Sequence, residues 1–343
     1  MQKLIKWLHF ILVILTLIAF LSPLIPPSRI WEFVFLAHLF PIFLLFNLFF
    51  GMYWVYKKNW FVVLSLFTFL VCFTGIKKVF GFSFSSKDTG KQFTCSSYNL
   101  GGLQWLDFAD EKDNRELKRF LNRLDNSDIL FVQEVNKRAL KALKSSTNYP
   151  YFHKHRALNT AIFSRYSIVD QGSIEFEKSF NSGVWADIKI EGKIIRCFSI
   201  HLESNRVSQM TEKSLTTEAV GKKNTYQRVL KILARVKKAT IQRSAQSKQV
   251  KELIRKSPYP VLIGGDFNDT PMSYVYQTLS TGMKDSFTEN YFGFGATYNG
   301  KIPLLRIDYI LASTVLNLSN HQVEKVPYSD HNPITTNFSF EKN

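Results

Sequence analysis

The hydrophobic pattern divides the chain into an almost entirely apolar N-terminal part and a longer part in which apolar and polar positions alternate. Apolar residues fill positions 7–25, 30–56 and 60–76, and the last of these stretches is the shortest. A helix needs about 20 apolar residues to cross the hydrocarbon layer of a bilayer. The pattern therefore predicts a membrane anchor over residues 1–79, with two to three transmembrane helices and about three as the preferred count.

The ends of these stretches are typical of a retained anchor. The first stretch ends in prolines without a small-x-small cleavage site, and two further apolar stretches follow it, which disfavours a cleaved signal peptide. Aromatic residues with a polar edge prefer the interface between lipid and water. Such residues lie at the ends of the stretches: Trp7, Trp31, Tyr53, Trp54, Tyr56 and Trp60.

Basic residues beside the apolar stretches predict an orientation by a small margin. With three spans, lysines 3, 6, 57 and 58 fall on one side of the membrane, whereas Arg29, Lys77 and Lys78 fall on the other. The positive-inside rule then places the N-terminus in the cytoplasm and the large polar part outside it. One helix fewer would reverse this orientation, so the expectation is a multi-pass membrane protein with an extracytoplasmic domain.

After a Ser-, Gly- and Lys-rich linker at residues 80–91, short β-rich runs alternate with helical patterns over residues 92–343. Gly192 lies between two of the runs and predicts a hairpin, so we expect mixed and not purely parallel sheets. The predicted strands are residues 93–98, 129–133, 160–164, 184–190, 194–201, 261–265, 306–311 and 335–340. The predicted helices are residues 114–124, 137–145, 225–237 and 273–279.

Charge is concentrated in one segment. The chain has a net charge of +17, and residues 203–257 contain fourteen Lys or Arg against four Glu, which is about +10 of that total. This segment is either a solvated helical face or a positive surface for anionic headgroups or a polyanionic substrate. The three cysteines lack the close spacing of a zinc site, so we interpret them as buried thiols.

Polar residues with catalytic potential recur where predicted strands end or begin. In layered α/β folds, such positions converge on one rim, where binding sites form. The positions are Asn99, Glu134, His201, Asp266, Asn268, Asp308, Asp330 and His331.

The segment "VLIGGDFNDTP" at residues 261–271 is the strongest single element. If the backbone stays extended, Asp266 and Asn268 share a face, because strand side chains alternate. The carboxylate can then deprotonate a water that the amide holds. The alternative interpretation is an Asx turn that closes a strand, with Gly265 supplying unusual backbone angles.

Seven motifs in a fixed order resemble the endonuclease/exonuclease/phosphatase superfamily, which includes pancreatic deoxyribonuclease, the exonuclease III type of abasic-site endonuclease, neutral sphingomyelinases and inositol polyphosphate 5-phosphatases. The resemblance extends from about residue 93 to residue 340. It implies an α/β four-layer sandwich of two packed mixed β-sheets flanked by helices. The motifs are "SYNLGG" (97–102), "FVQEV" (131–135), "TAIFSR" (160–165), "SIHLES" (199–204), "GGDFND" (264–269), "RIDYIL" (306–311) and "SDHNPI" (329–334).

The resemblance also implies roles for the strand-end residues. Glu134 would be the main Mg²⁺ ligand, with Asn99 and Asp330 beside it and Mn²⁺ as an alternative ion, in keeping with the preference of Mg²⁺ for oxygen. His331 would stabilise charge on the phosphoryl group while Asp308 orients its ring. The remaining roles are Asp266 as general base, Asn268 as the residue that positions the water, and His201 as an acid or phosphate donor on the leaving-group side.

These observations predict a membrane-anchored, Mg²⁺-dependent phosphoesterase that cleaves a phosphodiester or phosphomonoester by in-line attack of water. The bilayer would be a partner through the N-terminal helices, and the substrate a phosphoester, with a membrane lipid headgroup as one class. An extracytoplasmic endonuclease acting on nucleic acid is an alternative, since the basic segment also suits a phosphate backbone. A catalytically silent, membrane-tethered binding module is the alternative from another class.

Overall fold

The computed structural model describes residues 2–84, 90, 92–104, 111–156, 159–205, 222–300 and 305–341. The predicted linker at residues 80–91 and the predicted basic segment at residues 203–257 therefore lie partly outside the described residues.

The N-terminal part is helical and apolar, as predicted. Helices α1 (Gln2–Leu21) and α2 (Phe33–Tyr56) are long and apolar enough to cross a membrane. The predicted third span is not one straight helix: α3 (Val62–Val71) and α4 (Phe73–Val79) are bent by 67° at their junction. Gly75 in α4 is tightly packed, because a Cβ there would lie 2.9 Å from the ring of Phe20 in α1.

Polar side chains join the three apolar segments. The Trp54 indole donates to Nδ1 of His9 at 2.9 Å, and Ser65 Oγ lies 3.1 Å from the other ring nitrogen of His9. The Asn47 amide donates to Thr16 Oγ1 at 2.8 Å. Each contact satisfies a polar group that would be costly to leave unpaired among hydrocarbon, so the network fixes how the helices pack.

The remaining chain forms strands and helices in mixed order. The strands are β1 (Gly81–Phe82), β2 (Phe93–Asn99), β3 (Ile129–Gln133), β4 (Tyr151–Lys154), β5 (Thr160–Ser164), β6 (Ile168–Glu175), β7 (Ser182–Ile190), β8 (Lys193–His201), β9 (Val261–Asp266), β10 (Met283–Asp285), β11 (Phe292–Gly293), β12 (Asp308–Ser313), β13 (Leu316–Val323) and β14 (Ile334–Phe340). The helices are α5 (Glu111–Leu124), α6 (Lys137–Ser146), α7 (Lys222–Arg255), α8 (Tyr274–Ser280) and α9 (Ser286–Asn290).

Two six-stranded sheets form the frame, and β1 with β11 forms a separate ribbon. The first sheet has the order β13-β14-β2-β3-β5-β4 and the second the order β10-β12-β9-β8-β7-β6. β2 runs parallel to β3 and β8 parallel to β9, whereas the other pairs are antiparallel, which confirms the predicted mixed sheets. The predicted hairpin is also confirmed, since Glu191 and Gly192 both have positive φ between β7 and β8.

Apolar side chains fill three interfaces and produce the predicted four layers. The inner faces of the two sheets pack against each other, with Phe131 and Ile162 on one side and Cys197 and Leu262 on the other. Helices α5 and α6 cover the outer face of the first sheet, and α7 and α8 cover that of the second. The three free cysteines are buried, as predicted.

The structure corrects several predicted bounds. The strand predicted at 306–311 begins at Asp308, because Arg306 is buried in an ion pair with Asp285 at 2.8 Å and does not join the ladder. The helix predicted at 225–237 continues to Arg255. Six strands were not predicted: the ribbon strands β1 and β11, and β4, β6, β10 and β13, which lie at the edges of the two six-stranded sheets.

Candidate active site

Strand register brings three of the predicted site residues into one row of the second sheet. In the parallel pair β8–β9, His201 is the partner of Asp266. In the antiparallel pair β9–β12, Asp308 is the partner of the same Asp266. Three strands therefore present an imidazole and two carboxylates side by side.

The first sheet brings its residues to the same end. Asn99 ends β2 and pairs with Gln133 of β3, so Glu134 follows directly beside it. Asp330 and His331 immediately precede β14. The Asn99 amide donates to Asp266 Oδ2 at 3.1 Å, which joins the two sheets at this end of the sandwich.

Two glycines before Asp266 allow this close approach. A Cβ on Gly264 would lie 2.2 Å from the Phe131 ring of the opposite sheet. Gly265 has φ +147°, and a Cβ there would lie 1.9 Å from the carbonyl oxygen of Ile200. Side chains at these positions would separate β9 from its neighbours, so the glycine pair is a condition for the position of Asp266.

His331 lies between two buried carboxylates. Its Nδ1 is 2.9 Å from Asp308 Oδ2, and its Nε2 is 3.7 Å from Asp266 Oδ2. Burial opposes protonation of the ring, but the carboxylates of Asp308 and Asp266 outweigh this effect and raise the pKa of His331 to about 10. The ring is therefore a cation at neutral pH, suited to contact an anionic phosphoryl oxygen.

Asp266 is the most densely hydrogen-bonded carboxylate of the site. The backbone N–H of Asn268 donates to Oδ1 at 2.8 Å and its side-chain amide donates to Oδ2 at 3.0 Å, with Asn268 at φ +53°. Burial raises the pKa of Asp266 to about 6, although the nearby His331 opposes the rise. The backbone does not stay extended, because β9 ends at Asp266 and Asn268 is left-handed, so the alternative interpretation, an Asx turn, is the one observed. Through this turn Asn268 still orients the carboxylate of Asp266.

His201 lies on the other side of Asp266. Its Nε2 is 3.6 Å from Asp266 Oδ2 and 3.8 Å from Glu134 Oε1, and it has no hydrogen-bond partner within the described residues. A buried nitrogen without a partner is costly, and it is available to a substrate or water.

Glu134, Asp330 and Asn99 form the open edge of the site. The side chains of Glu134 and Asp330 are 37% and 34% exposed, unlike the buried Asp266 and Asp308. Burial raises the pKa of Asp330, His331 opposes this rise and Glu134 reinforces it. In its present rotamer Asn99 directs its amide nitrogen to the carboxylates, while its oxygen accepts from Gly101 N at 2.9 Å.

The family model "Endonuclease/Exonuclease/phosphatase family" matches residues 96–331, which is more than half of the chain and includes every residue of the site. The chain belongs to the endonuclease/exonuclease/phosphatase family. Membership makes it a hydrolase of ester bonds, as the sequence predicted. A second family model, a domain of unknown function, matches residues 2–79. No curated protein matches the chain.

Solved structures of this fold are similar to the chain over nearly three quarters of its length. An endonuclease/exonuclease/phosphatase family protein from Bacteroides thetaiotaomicron is 17% identical with a TM-score of 0.52, covering 74% of this chain and 100% of that one. TDP2 from D. rerio, in complex with a single-strand DNA product, is 19% identical with a TM-score of 0.51, covering 74% and 100%. A mannosyl-6-phosphatase from Bacteroides thetaiotaomicron is 19% identical with a TM-score of 0.50, covering 72% and 100%.

Ligand-type atoms of Asp266, Asp308 and His331 also lie within 4.8 Å of one another, close enough to hold a metal ion. This set differs from the predicted ligands Glu134, Asn99 and Asp330. In the buried set His331 Nδ1 is already engaged with Asp308, and a protonated imidazole cannot ligate a cation. The open edge offers carboxylate oxygen and access for water, which are the surroundings that Mg²⁺ prefers.

Three residues that sequence reasoning did not assign also support the site. Thr297 Oγ1 accepts the backbone N–H of Asp308 at 3.1 Å, and the Tyr298 ring lies 5.2 Å from the ring of His331. Ser329 Oγ donates to the Asn99 carbonyl at 2.8 Å and accepts the backbone N–H of His331 at 3.1 Å. Ser329 is part of "SDHNPI" and had a local signal, whereas Thr297 and Tyr298 lie in a loop without a periodic pattern.

Proposed function

We propose that this protein is a membrane-anchored, Mg²⁺-dependent phosphoesterase that hydrolyses a phosphodiester or phosphomonoester by in-line attack of water. One observation carries the proposal: a buried His331–Asp308 pair and the buried Asp266 adjoin two carboxylates, Glu134 and Asp330, that are about one third exposed at one end of the sandwich. The buried residues can transfer protons and stabilise charge on a phosphoryl group, and the exposed carboxylates can bind a hard cation.

The residues at the open edge fit a divalent ion. Glu134 and Asp330 would hold it through carboxylate oxygen, and Asn99 would do so by presenting the oxygen of its amide. Mn²⁺ suits the same donors. When bound, such an ion neutralises developing charge on a phosphoryl group and helps to position it.

Asp266 is the general base in this proposal. A carboxyl group with a pKa of about 6 is ionised near neutral pH and still basic enough to take a proton from water. Three amide hydrogen bonds fix its two oxygens. Asn268 holds this carboxylate through its amide nitrogen, which also donates to the Leu202 carbonyl, so in this proposal its side-chain oxygen accepts from the attacking water.

His331 and His201 serve the phosphoryl group from two sides of Asp266. The protonated His331 donates to a non-bridging oxygen, and Asp308 fixes its ring angle through the 2.9 Å contact. His201, whose Nε2 has no hydrogen-bond partner within the described part of the chain, donates on the leaving-group side.

The membrane arrangement belongs to the same proposal. Residues 1–79 anchor the protein, residues 80–91 link the parts and residues 92–343 form the catalytic domain. The apolar character of α1 and α2 supports the anchor. The distribution of lysines and arginines around the spans favours a multi-pass protein with its catalytic domain outside the cytoplasm.

An extracytoplasmic endonuclease is the second candidate, favoured by the basic residues of α7. The silent binding module is disfavoured, because each residue that the chemistry requires is present and lies with the others at the same end.

The test uses the full chain in detergent and bis(4-nitrophenyl) phosphate. We expect release of nitrophenol that depends on Mg²⁺ and that Asp266→Asn reduces by about 10²- to 10⁴-fold, the usual contribution of a general base. Asp170→Asn, on an exposed position of β6, is the matched control and should leave the rate unchanged. Equal rates for Asp266→Asn and the wild type would favour the silent module.

A further inference from the structure

The end of the sandwich that carries the site is also the end that contacts the membrane helices. After Asp266 the chain continues to Met272, which is buried in a cluster with Ala19 of α1 and Phe40 of α2. Arg306, two residues before Asp308, donates to the carbonyl of Lys78 in α4 at 2.9 Å. Both sides of the site are therefore a few residues from the membrane anchor.

An exposed aromatic ribbon adjoins one side of the site. It begins directly after α4 and combines β1 with β11, and the Phe84 and Phe292 rings stack at 4.8 Å. A few residues beyond β11, Tyr298 packs against His331. The members of the ribbon are Phe80, Phe82, Phe84, Phe292 and Phe294, and all except Phe80 are largely exposed.

The first half of α7, residues 226–238, is a basic helical segment. It leads to Arg243, which contacts the Glu203 carbonyl and Asp269 just after β8 and β9, on the His201 side of the site. Its apolar residues Tyr226, Val229 and Leu230 are exposed, whereas α7 becomes buried against the domain from Ala239 onward. No Asp or Glu occurs between residues 222 and 251. The basic residues of the segment are Arg228, Lys231, Arg235, Lys237 and Lys238.

A direct contact places this segment at the level of the membrane interface. Lys237 Nζ lies 5.6 Å from the ring of Trp31, in the connection between α1 and α2. Tryptophan at the end of a membrane helix marks the headgroup layer. A helix with exposed apolar side chains, lysines and no acids at this depth has the composition of an interfacial helix.

We propose that the basic helical segment and the aromatic ribbon lie in the headgroup layer of an anionic bilayer, on either side of the catalytic site. Charge complementarity and continuity with the membrane helices both favour lipid as the occupant. A nucleic acid would pair with the lysines but leave Val229, Leu230 and the ribbon in water. If the proposed function holds, the substrate is a phosphoester in the plane of the bilayer.

The test uses the full chain in nanodiscs of phosphatidylcholine, with or without phosphatidylglycerol, whose acyl chains are brominated near the headgroup. An environment-sensitive fluorophore is attached at Val229→Cys or Phe84→Cys, and the unsubstituted chain, with three buried cysteines, gives the labelling background. Val315→Cys is the matched control: Val229 and Val315 are both 47% exposed, but Val315 lies at the opposite end of the second sheet.

We expect quenching at Val229 in anionic discs, its loss in neutral discs and its loss when Lys231, Lys237 and Lys238 are changed to Gln. Phe84 should be quenched in both kinds of disc and Val315 in neither. Equal signals at Val229 and Val315 would overturn the proposal. So would a response of the Val229 probe to a single-stranded oligonucleotide without a response to anionic lipid.

Hydrolysis separates this inference from the proposed function. The lysine variant should keep the wild-type rate on bis(4-nitrophenyl) phosphate and lose release of phosphorylated headgroups from anionic discs. Quenching at Val229 without hydrolysis of the soluble ester would refute the proposed function and leave the interface standing. Hydrolysis of the soluble ester without quenching at Val229 would support the proposed function and refute the interface.

Discussion

The two halves of the candidate site differ in their access to water, and each has the chemistry that its surroundings allow. Asp266, Asp308 and His331 are buried and surrounded by fixed partners, and the pKa values of Asp266 and His331 move far from the ordinary ones. Glu134 and Asp330 remain about one third exposed. Burial and close charged neighbours set protonation in the first half, and exposure to solvent leaves room for a cation and its waters in the second.

Adjacent residues connect the halves. Asp330 belongs to the open edge and His331 to the buried cluster, and Ser329 holds the loop through Asn99 and the His331 backbone. One short segment therefore fixes the metal side relative to the phosphoryl side. The comparison predicts that substitutions in the buried half impair chemistry, whereas those in the open half impair metal binding.

After Asp266→Asn, the largest expected effect comes from His331→Asn, which removes the cation that would face the phosphoryl oxygen. Loss of one transition-state contact of this kind costs about 10²- to 10³-fold in kcat. The measurement is kcat on the soluble diester at saturating Mg²⁺. His153→Asn on the edge strand β4 is the control and should retain activity. A His331→Asn enzyme that differs only in its Mg²⁺ requirement would break the comparison.

Asp308→Asn should have the next largest effect, on the order of 100-fold, because the ring of His331 loses its orienting partner. It should also change the pH profile. In the wild type, activity should rise through about pH 6 as Asp266 ionises and fall toward pH 10 as His331 loses its proton. The Asp308 charge raises the pKa of both groups, so without it both limbs should move to lower pH, and the alkaline limb should move more because His331 also loses its hydrogen-bond partner.

Rates measured from pH 5 to 10 on the soluble diester would show this shift. An alkaline limb unchanged in Asp308→Asn would mean that His331 does not set it.

The fold was largely predictable because its central strands follow simple patterns. β3, β5 and β9 are buried along their whole length and appear in the sequence as mainly apolar runs between turn residues, whereas β2 is equally buried but mixes apolar with small polar residues. The six strands that sequence reasoning missed are the two short strands of the ribbon and the four edge strands of the large sheets, where solvent contact removes the apolar signal.

Most of the site was also predictable, because its residues lie at or near the ends of the predicted strands. Residues at strand ends are tied to the pattern of the strands, so their convergence follows from register. Thr297 and Tyr298 come from an irregular loop, and their contacts depend on tertiary packing that local sequence does not encode. The bend between α3 and α4 could not be predicted from local sequence either, because the apolar run continues through it.

Glu134→Gln addresses the open half. The amide keeps the size of the side chain but removes a charged oxygen ligand, and we expect metal affinity to fall by about 10- to 100-fold, as for other changes at metal sites. Activity should recover at high Mg²⁺, unlike that of His331→Asn. Direct Mn²⁺ binding to the full chain, followed by electron paramagnetic resonance, gives a readout independent of turnover. Glu177→Gln, at a highly exposed side chain, is the control.

The smallest expected effect concerns the packing that brings the halves together. Gly264→Ala would place a methyl group 2.2 Å from the Phe131 ring, three residues before Glu134. Overpacking of this kind costs about 1–3 kcal/mol in free energy of unfolding. Gly90→Ala meets nothing within 4 Å and should leave thermal stability unchanged in the same detergent. Because β9 must move away from β3 to admit the methyl group, Gly264→Ala should also separate Asp266 from Asn99 and lower kcat more than its melting temperature suggests. A destabilised variant with full activity would mean that the contact between sheets supports the fold alone.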